Sequence, residues 1–563
     1  MTPDSRTLGW GSRVRPAEWA WAEPTPRVTS VLLGTILLLA VLLRLYGVPH
    51  DLPFSYFHDE MVYVNRAMAM GTGDLNPHWF NKPAFLMYLL LFCYGVFFVL
   101  GWLLGQFASP EAFGAYFMAD QGAFILIGRL VMVAFGAGAV YVSYLITRRA
   151  LGSAAAALGA ALMTAVLLPA VVSSYIIESD LPSGFFVALS VYFYLRTRDD
   201  PSLWPLLLAA AFAGVATGTK YYGVIVLPVF GLAELARPLT FGTPWPRAIL
   251  RATLLVVVFV GAFFVVSPYH FLDPTFGERI LVKINNFFSP AEGAVEWAPD
   301  TRVAYKPGFG AIPGAAAFFF ERVLRWDAIG WALAVLAALG MVSGLVRRET
   351  RWASLVVAGP MAIYVLLAST AAPYHIQPPH LNAVLPLLAV FVFPGAVLLA
   401  RGLGLGWRTA PIGAAVLVVL AVAPSAYLTV EATEARLRPD SRTVAARWAA
   451  ENLPRDAMIL LDHYGPVLPP NAAAVERLQA RLDDLRDQAS EVGSFDAFTE
   501  PEARRLAVLR RHPIEDGFNV DRLNHPWWLP REMSDEELLS DPGQWQMGNP
   551  LWSRVPDTLE EYR

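Results

Sequence analysis

AFLMYLLLFCYGVFFVLGWLLG, residues 84–105, is the stretch on which the topology of this chain turns. It carries no charge and is long enough to cross a bilayer, whose core takes about 17 to 25 helical residues. Short arginine-rich loops arbitrate, because they stay on the cytoplasmic side of polytopic proteins. With the N-terminus inside and 84–105 not crossing, Arg148/Arg149, Arg196/Arg198, Arg237/Arg247/Arg251, Arg347/Arg348/Arg351 and Arg401/Arg408 all face the cytoplasm. If 84–105 crosses, every one of these clusters lands outside. We therefore read it as a hydrophobic helix lying along, or dipping into, the outer membrane surface.

Working outward, apolar runs at 28–47, 124–146, 152–172, 182–196, 203–219, 222–236, 252–268, 326–346, 352–371, 380–400 and 410–429 predict about eleven transmembrane helices. Residues 1–27, with Arg6, Arg13, Arg15 and Arg27, read as a cytoplasmic tail. The apolar run that follows is too long for a signal peptide and lacks a small-residue cleavage site. The transmembrane domain covers 28–429, with outer loops 48–123 and 269–325, and 430–563 is an extracytoplasmic C-terminal domain. In that last region Ser441 to Leu453 reads as an amphipathic helix, Ala457 to Leu461 as a buried strand and Ala472 to Ala489 as a charged helix, a small α/β unit.

Composition agrees. Of 563 residues 55% are hydrophobic and 16% charged, against about 25% charged in a soluble domain. The single cysteine, Cys93, excludes an internal disulfide. Net charge is −4, and from Glu431 onward 25 Asp and Glu face 16 Arg, so the membrane part is slightly basic. No basic nucleic-acid surface is on offer.

Ionisable residues collect at the outer helix ends and in the outer loops, so an active site is expected to open extracytoplasmically. All four lysines, Lys82, Lys220, Lys283 and Lys306, fall on that side in a chain with 39 arginines. A compact ammonium suits contact with a phosphate as a point charge. Lys283 and Lys306 are read as solvated loop residues, whereas Lys82 and Lys220 abut hydrophobic segments. The first outer loop holds His58-Asp59-Glu60-Met61-Val62-Tyr63, an acidic pair ahead of a helix, a favourable dipole contact in its blandest reading. It continues to Asn81-Lys82-Pro83, with Pro83 suited to the first turn of the next helix and Asn81 to its cap. Glu178-Ser179-Asp180-Leu181-Pro182 turns between two spans, and Lys220-Tyr221-Tyr222 joins two more. Asp59, Glu60, Lys82, Asp180 and Lys220 thus share one face.

This order of motifs, HDExxY at 58–63, NKP at 81–83, Gly128-Arg129-Leu130, the ESDLP turn and GTK at 218–220, resembles glycosyltransferase family 39 and related integral-membrane transferases of the GT-C fold. These include protein O-mannosyltransferases and lipid A aminoarabinose transferases. The resemblance covers roughly residues 30–400, and Asp440 to Trp448 with Asp462-His463-Tyr464-Gly465-Pro466 is similar to the outer tail domain of bacterial members. It implies transfer of a sugar from a polyprenyl-phosphate carrier to an acceptor hydroxyl on a glycan, lipid or protein, with inversion, at the plasma membrane of a bacterial or archaeal cell. Asp59 would be the general base, Glu60 and Asp180 would orient the site or the acceptor, and Lys82 and Lys220, with Tyr63, would hold the donor phosphate. The chain departs from many relatives at Pro83-Ala84, where a proline pair is common, and at His380, where an arginine often stands; His380 or His375 would complete the phosphate clamp. Members occur with and without a divalent ion, and His58, Asp59 and Glu60 are the candidate ligands for Mg or Mn.

The chemistry of the residues fits. Glycoside hydrolysis uses two carboxylates, one of them an acid that protonates the leaving alkoxide. A phosphate leaving group needs cations and one base instead. The rival from another class is a secondary transporter or flippase of a lipid-linked or small polar substrate; charge-poor span interiors and the lack of paired broken-helix repeats weigh against it. An oligosaccharyltransferase would carry a WWDYG-like element, but Trp527-Trp528 is followed by Leu-Pro.

Overall fold

A computed structural model describes residues 23–523 except 201, 275, 278–295, 299–302, 306–311, 326, 372–376, 463–464, 490–502 and 504–505. Lys283, Lys306 and His375 lie outside the described residues, as does the side chain of His58.

The chain is an all-helical membrane protein with two small strand pairs. α1 (Pro26–Gly47) starts on Thr25, whose hydroxyl accepts from the Val28 N–H, with Pro26 in the first turn. It is followed by α2 (His58–Met70), α3 (Phe85–Leu103), α4 (Pro110–Ala119), α5 (Gly122–Leu151), α6 (Ala154–Val166), α7 (Leu168–Val172), α8 (Asp180–Arg196), α9 (Trp204–Thr219), α10 (Val226–Leu235), α11 (Arg237–Phe241), α12 (Trp245–Val266) and α13 (Tyr269–Leu272). An antiparallel pair, β1 (Glu296–Ala298) and β2 (Val303–Tyr305), precedes α14 (Ile312–Leu324), α15 (Trp331–Val346), α16 (Arg348–Ala371), α17 (Leu385–Gly402) and α18 (Ala410–Leu437). Beyond them come α19 (Ser441–Asn452), β3 (Met458–Asp462), α20 (Ala472–Ala489) and β4 (Asn519–Leu523), with β3 and β4 paired in parallel.

Each of the eleven apolar runs contains an α-helix. Among the described residues seven helical stretches are long and apolar enough to cross a membrane, α3 among them. One face of α3, with Leu86, Met87, Leu90 and Tyr94, is buried, while Phe92, Val96, Val99 and Leu103 on the other face are exposed and apolar. The run 152–172 is not one helix. It breaks at Leu167, because Pro169 has no N–H to continue the ladder and disfavours helical backbone just ahead of it. In lipid the freed groups need partners. Arg44 donates to the Thr164 and Ala165 carbonyls at 3.1 and 2.8 Å, Thr429 to the Val166 carbonyl at 2.9 Å, and Ser425 accepts from the Leu168 N–H at 3.0 Å.

α15 and α17 meet backbone to backbone. A methyl group on Gly340 would strike the Phe391 carbonyl, and one on Gly395 the Leu336 carbonyl, the close approach that small residues permit between membrane helices. Glu234 is a buried charge met by opposite charge: it accepts from Arg251 at 2.6 Å, from Tyr194 at 3.0 Å, and meets Arg237 at 2.9 Å. On the other side of the fold, α19 reaches the loop ahead of α2. Arg442 stacks on the Tyr56 ring at 4.0 Å and Thr443 donates to its hydroxyl at 3.1 Å.

Candidate active site

Asp59 and Glu60 sit in the first turn of α2, where the helix dipole favours their charge, yet their environments differ. Asp59 is half-buried and ion-paired with Lys82. Lys82 lies over the Tyr63 ring, 5.5 Å from its centroid. Burial opposes the lysine charge, but Tyr63 and Asp59 outweigh it and raise its pKa. A second pair stands beside the first: Lys220 Nζ donates to both oxygens of Asp180 at 2.6 Å and lies 5.3 Å from the Tyr222 ring. The two pairs share one electrostatic field, since Lys82 and Lys220 both act on Asp180. His380 is coupled to all four groups.

The other residues singled out in the sequence are set differently. Glu60 is fully buried, and both of its oxygens accept from Arg129, at 2.9 and 2.8 Å; they also accept from the Ile177 N–H at 3.0 Å and the Ser55 hydroxyl at 2.5 Å. Burial opposes its charge, but the Arg129 fork holds its carboxyl below the usual range. Arg129 also donates to the Val48 and His50 carbonyls at 2.8 and 2.6 Å. Glu60 is therefore held as a positioning residue that fixes the loop carrying Asp59. For the same reason it does not fit as a ligand in a metal set with Asp59, and among the described residues no group of three His, Cys, Asp or Glu could hold an ion. Tyr63 is wholly buried, and its ring face supports Lys82. His380 Nδ1 accepts from the Gln377 N–H at 3.1 Å, which leaves the proton of a neutral ring on Nε2. A neutral ring offers a phosphate one Nε2–H, where an arginine would offer a charged fork.

Asn81 does not cap α3. Ala84 takes that place, and its N–H is satisfied by the Ser267 hydroxyl at 2.9 Å. That contact ends a chain that sequence reading missed. Tyr221 donates to the Phe80 carbonyl at 2.5 Å, His270 Nε2 lies 2.9 Å from the Tyr221 hydroxyl, and His270 Nδ1 lies 2.8 Å from Ser267 Oγ. The tautomer with the proton on Nε2 satisfies every member. The chain ties the loop bearing Lys82 to the element bearing Lys220.

Glu178, buried at the turn before Asp180, was also passed over. Burial first, then the neighbouring Asp180 charge, push its carboxyl from 4.5 up to about 8. A carboxyl protonated in the fold but ionised in the unfolded chain makes stability fall as pH rises between those two values. Melting temperatures of wild type and Glu178→Gln are expected to converge near pH 4.5 and to separate toward pH 8, with the variant higher; parallel curves would mean that Glu178 stays ionised.

Residues 113–270 match the family model of dolichyl-phosphate-mannose-protein mannosyltransferases. The structure superposes on that of ArnT from Cupriavidus metallidurans with a TM-score of 0.51 and 17% identity, over 95% of this chain and 90% of that one. The chain has the fold of these membrane transferases, GT-C, and its residues 113–270 resemble the protein-mannosyltransferase family. ArnT bound to undecaprenyl phosphate aligns with this GT-C chain at a TM-score of 0.50 and 15% identity, over 92% of this chain and 89% of that one. The Archaeoglobus fulgidus oligosaccharyltransferase aligns at 0.49 and 14% identity, over 76% of this chain and 59% of that chain. No curated protein matches the sequence. The segment matched by the family model holds Arg129, Asp180, Lys220 and His270, while Asp59 and Lys82 precede it.

Proposed function

We propose that this glycosyltransferase moves a sugar from a polyprenyl-phosphate carrier to an acceptor hydroxyl, with inversion at the anomeric carbon, on the extracytoplasmic face. The observation that carries the reading is the pair of carboxylate–lysine contacts, Asp59 with Lys82 and Asp180 with Lys220. That ArnT has been solved with undecaprenyl phosphate supports the choice of carrier.

The chemistry follows from charge. Asp59 takes the proton of the acceptor hydroxyl, the oxygen forms a bond to the anomeric carbon on the face opposite the phosphate, and the carbon–oxygen bond to phosphate breaks with its electrons going to the leaving group. As Asp59 becomes neutral it gives up what hold it still has on Lys82, and the ammonium, already drawn to the donor phosphate, meets the charge appearing there in full. Lys220, kept in place by Asp180, supplies a fixed cation. Preorganised charge of this kind is the main source of rate in such sites. No acid is needed, because the phosphate leaves as a stable anion.

The reaction is tested by incubating the purified protein with polyprenyl phosphates bearing different radiolabelled sugars, in membranes containing native acceptors. Transfer by wild type that Asp59→Asn abolishes supports the reading; no transfer from any donor by folded protein returns the transporter. Sidedness rests on the arginine clusters. A cysteine at exposed Glu451 of α19, in a Cys93→Ser background, is expected to react with an impermeant maleimide in intact cells. Labelling only after lysis would invert the topology.

A further inference from the structure

Nine buried side-chain nitrogen or oxygen atoms among the described residues have no hydrogen-bond partner, and three of them, Tyr63 Oη, Glu178 Oε1 and Ser179 Oγ, come from two short segments at the lysine pairs. A buried polar atom without a partner is costly to the fold, so their gathering in one place points to a ligand. The segments are joined directly: the Ile177 N–H donates to Glu60, which precedes Tyr63 by one helical turn. The Ser179 hydroxyl faces the Tyr63 phenol and Ser173 faces the Glu178 carboxyl, but neither approach has the geometry of a full hydrogen bond, and Tyr63 Oη, Ser179 Oγ and Glu178 Oε1 have no other partner. Lys82 covers the Tyr63 ring, and Ser179 is followed by Asp180, which holds Lys220.

We propose that Tyr63 Oη, Ser179 Oγ and Glu178 Oε1 form the subsite that takes the hydroxyl groups of the sugar being transferred. The inference rests on the lipid-linked donor proposed above. Two hydroxyls and a carboxyl that keeps its proton each donate and accept, which matches neighbouring hydroxyls on a pyranose, whereas a phosphate is served by the lysines one residue or one turn away. The atoms are closed to solvent in the absence of donor. When Lys82 turns from Asp59 to the phosphate it uncovers Tyr63, so sugar entry and phosphate capture are one movement.

Binding to the purified full chain separates sugar from phosphate. The probes are bare undecaprenyl phosphate and undecaprenyl phosphate carrying mannose, glucose, galactose or an aminopentose, of which the one bound most tightly by wild type is carried forward. Ser179→Ala, Tyr63→Phe and Glu178→Leu are each expected to weaken the sugar-bearing lipid at least about fivefold, the loss of one hydrogen bond, and to leave the bare lipid within about twofold. Glu178→Gln, which keeps a donor and an acceptor, is expected to retain the sugar-bearing lipid. Because Ser179→Ala and Tyr63→Phe delete only unsatisfied atoms, the unliganded variants should melt no lower than wild type, which guards against misfolding. Equal losses on both lipids, or no loss on either because the three atoms hold only buried water, would overturn the subsite. Failure of wild type to bind bare undecaprenyl phosphate would instead bring down the donor reading, and the subsite with it.

Discussion

Asp59→Asn is expected to lose sugar transfer by about 10²- to 10⁴-fold, the usual contribution of a positioned base, while binding undecaprenyl phosphate more tightly than wild type. The two effects point in opposite directions for one reason. In the resting site the Lys82 ammonium is ion-paired with the Asp59 carboxylate, so an incoming phosphate competes with that carboxylate for the same cation. The asparagine is nearly isosteric but neutral, and it releases Lys82 while leaving the Tyr63 ring beneath it. A charge-assisted contact made without competition is stronger by about a factor of ten, and titration of the variant with the bare lipid phosphate measures it. Retained transfer would remove Asp59 as the base. Lost transfer with unchanged or weaker phosphate affinity would keep the base and show that Lys82 is not handed over.

The second large effect is structural. Arg129→Met is expected to destabilise the protein by about 3–5 kcal/mol, the range for breaking a buried pair and leaving one charge alone. Glu60 and Arg129 are both fully inaccessible, and Arg129 also holds the Val48 and His50 carbonyls. Its removal unties the loop from α1 to α2 as well as the Ile177 turn. Adding Glu60→Gln to Arg129→Met removes the orphaned charge and should recover part of the melting temperature. A double variant no more stable than Arg129→Met would show that the loop carbonyls, and not the buried carboxylate, dominate the loss.

Apolar runs announce helices because lipid leaves the backbone no other way to satisfy itself, and every run read from the sequence contains one. The lysines were legible too, through their scarcity, and the structure brings Lys82 and Lys220 beside Asp59 and Asp180. What escaped was anything set by a distant partner. Glu60 looked like the twin of Asp59 until Arg129, 69 positions away, took both of its oxygens. The cap of α3 comes from Ser267, 183 positions on, so no local pattern around Asn81 could find it. The break at Leu167 did have a local signal in Pro169, hidden by the uniform hydropathy of the run. Glu178 and Ser179 passed for turn residues because an atom without a partner leaves no mark in a sequence.

The contact of α19 with Tyr56 has a thermodynamic corollary. Tyr56 lies three residues before Asp59, and its ring and hydroxyl are gripped by Arg442 and Thr443. Free-energy coupling between two sites is reciprocal. To the extent that this grip differs between the empty and the loaded loop, an acceptor molecule that engages α19 changes the affinity for the donor at Asp59, and the donor changes the affinity for the acceptor by the same factor. The packing of α19 and the occupancy of the Asp59 loop are thus linked through a single aromatic side chain.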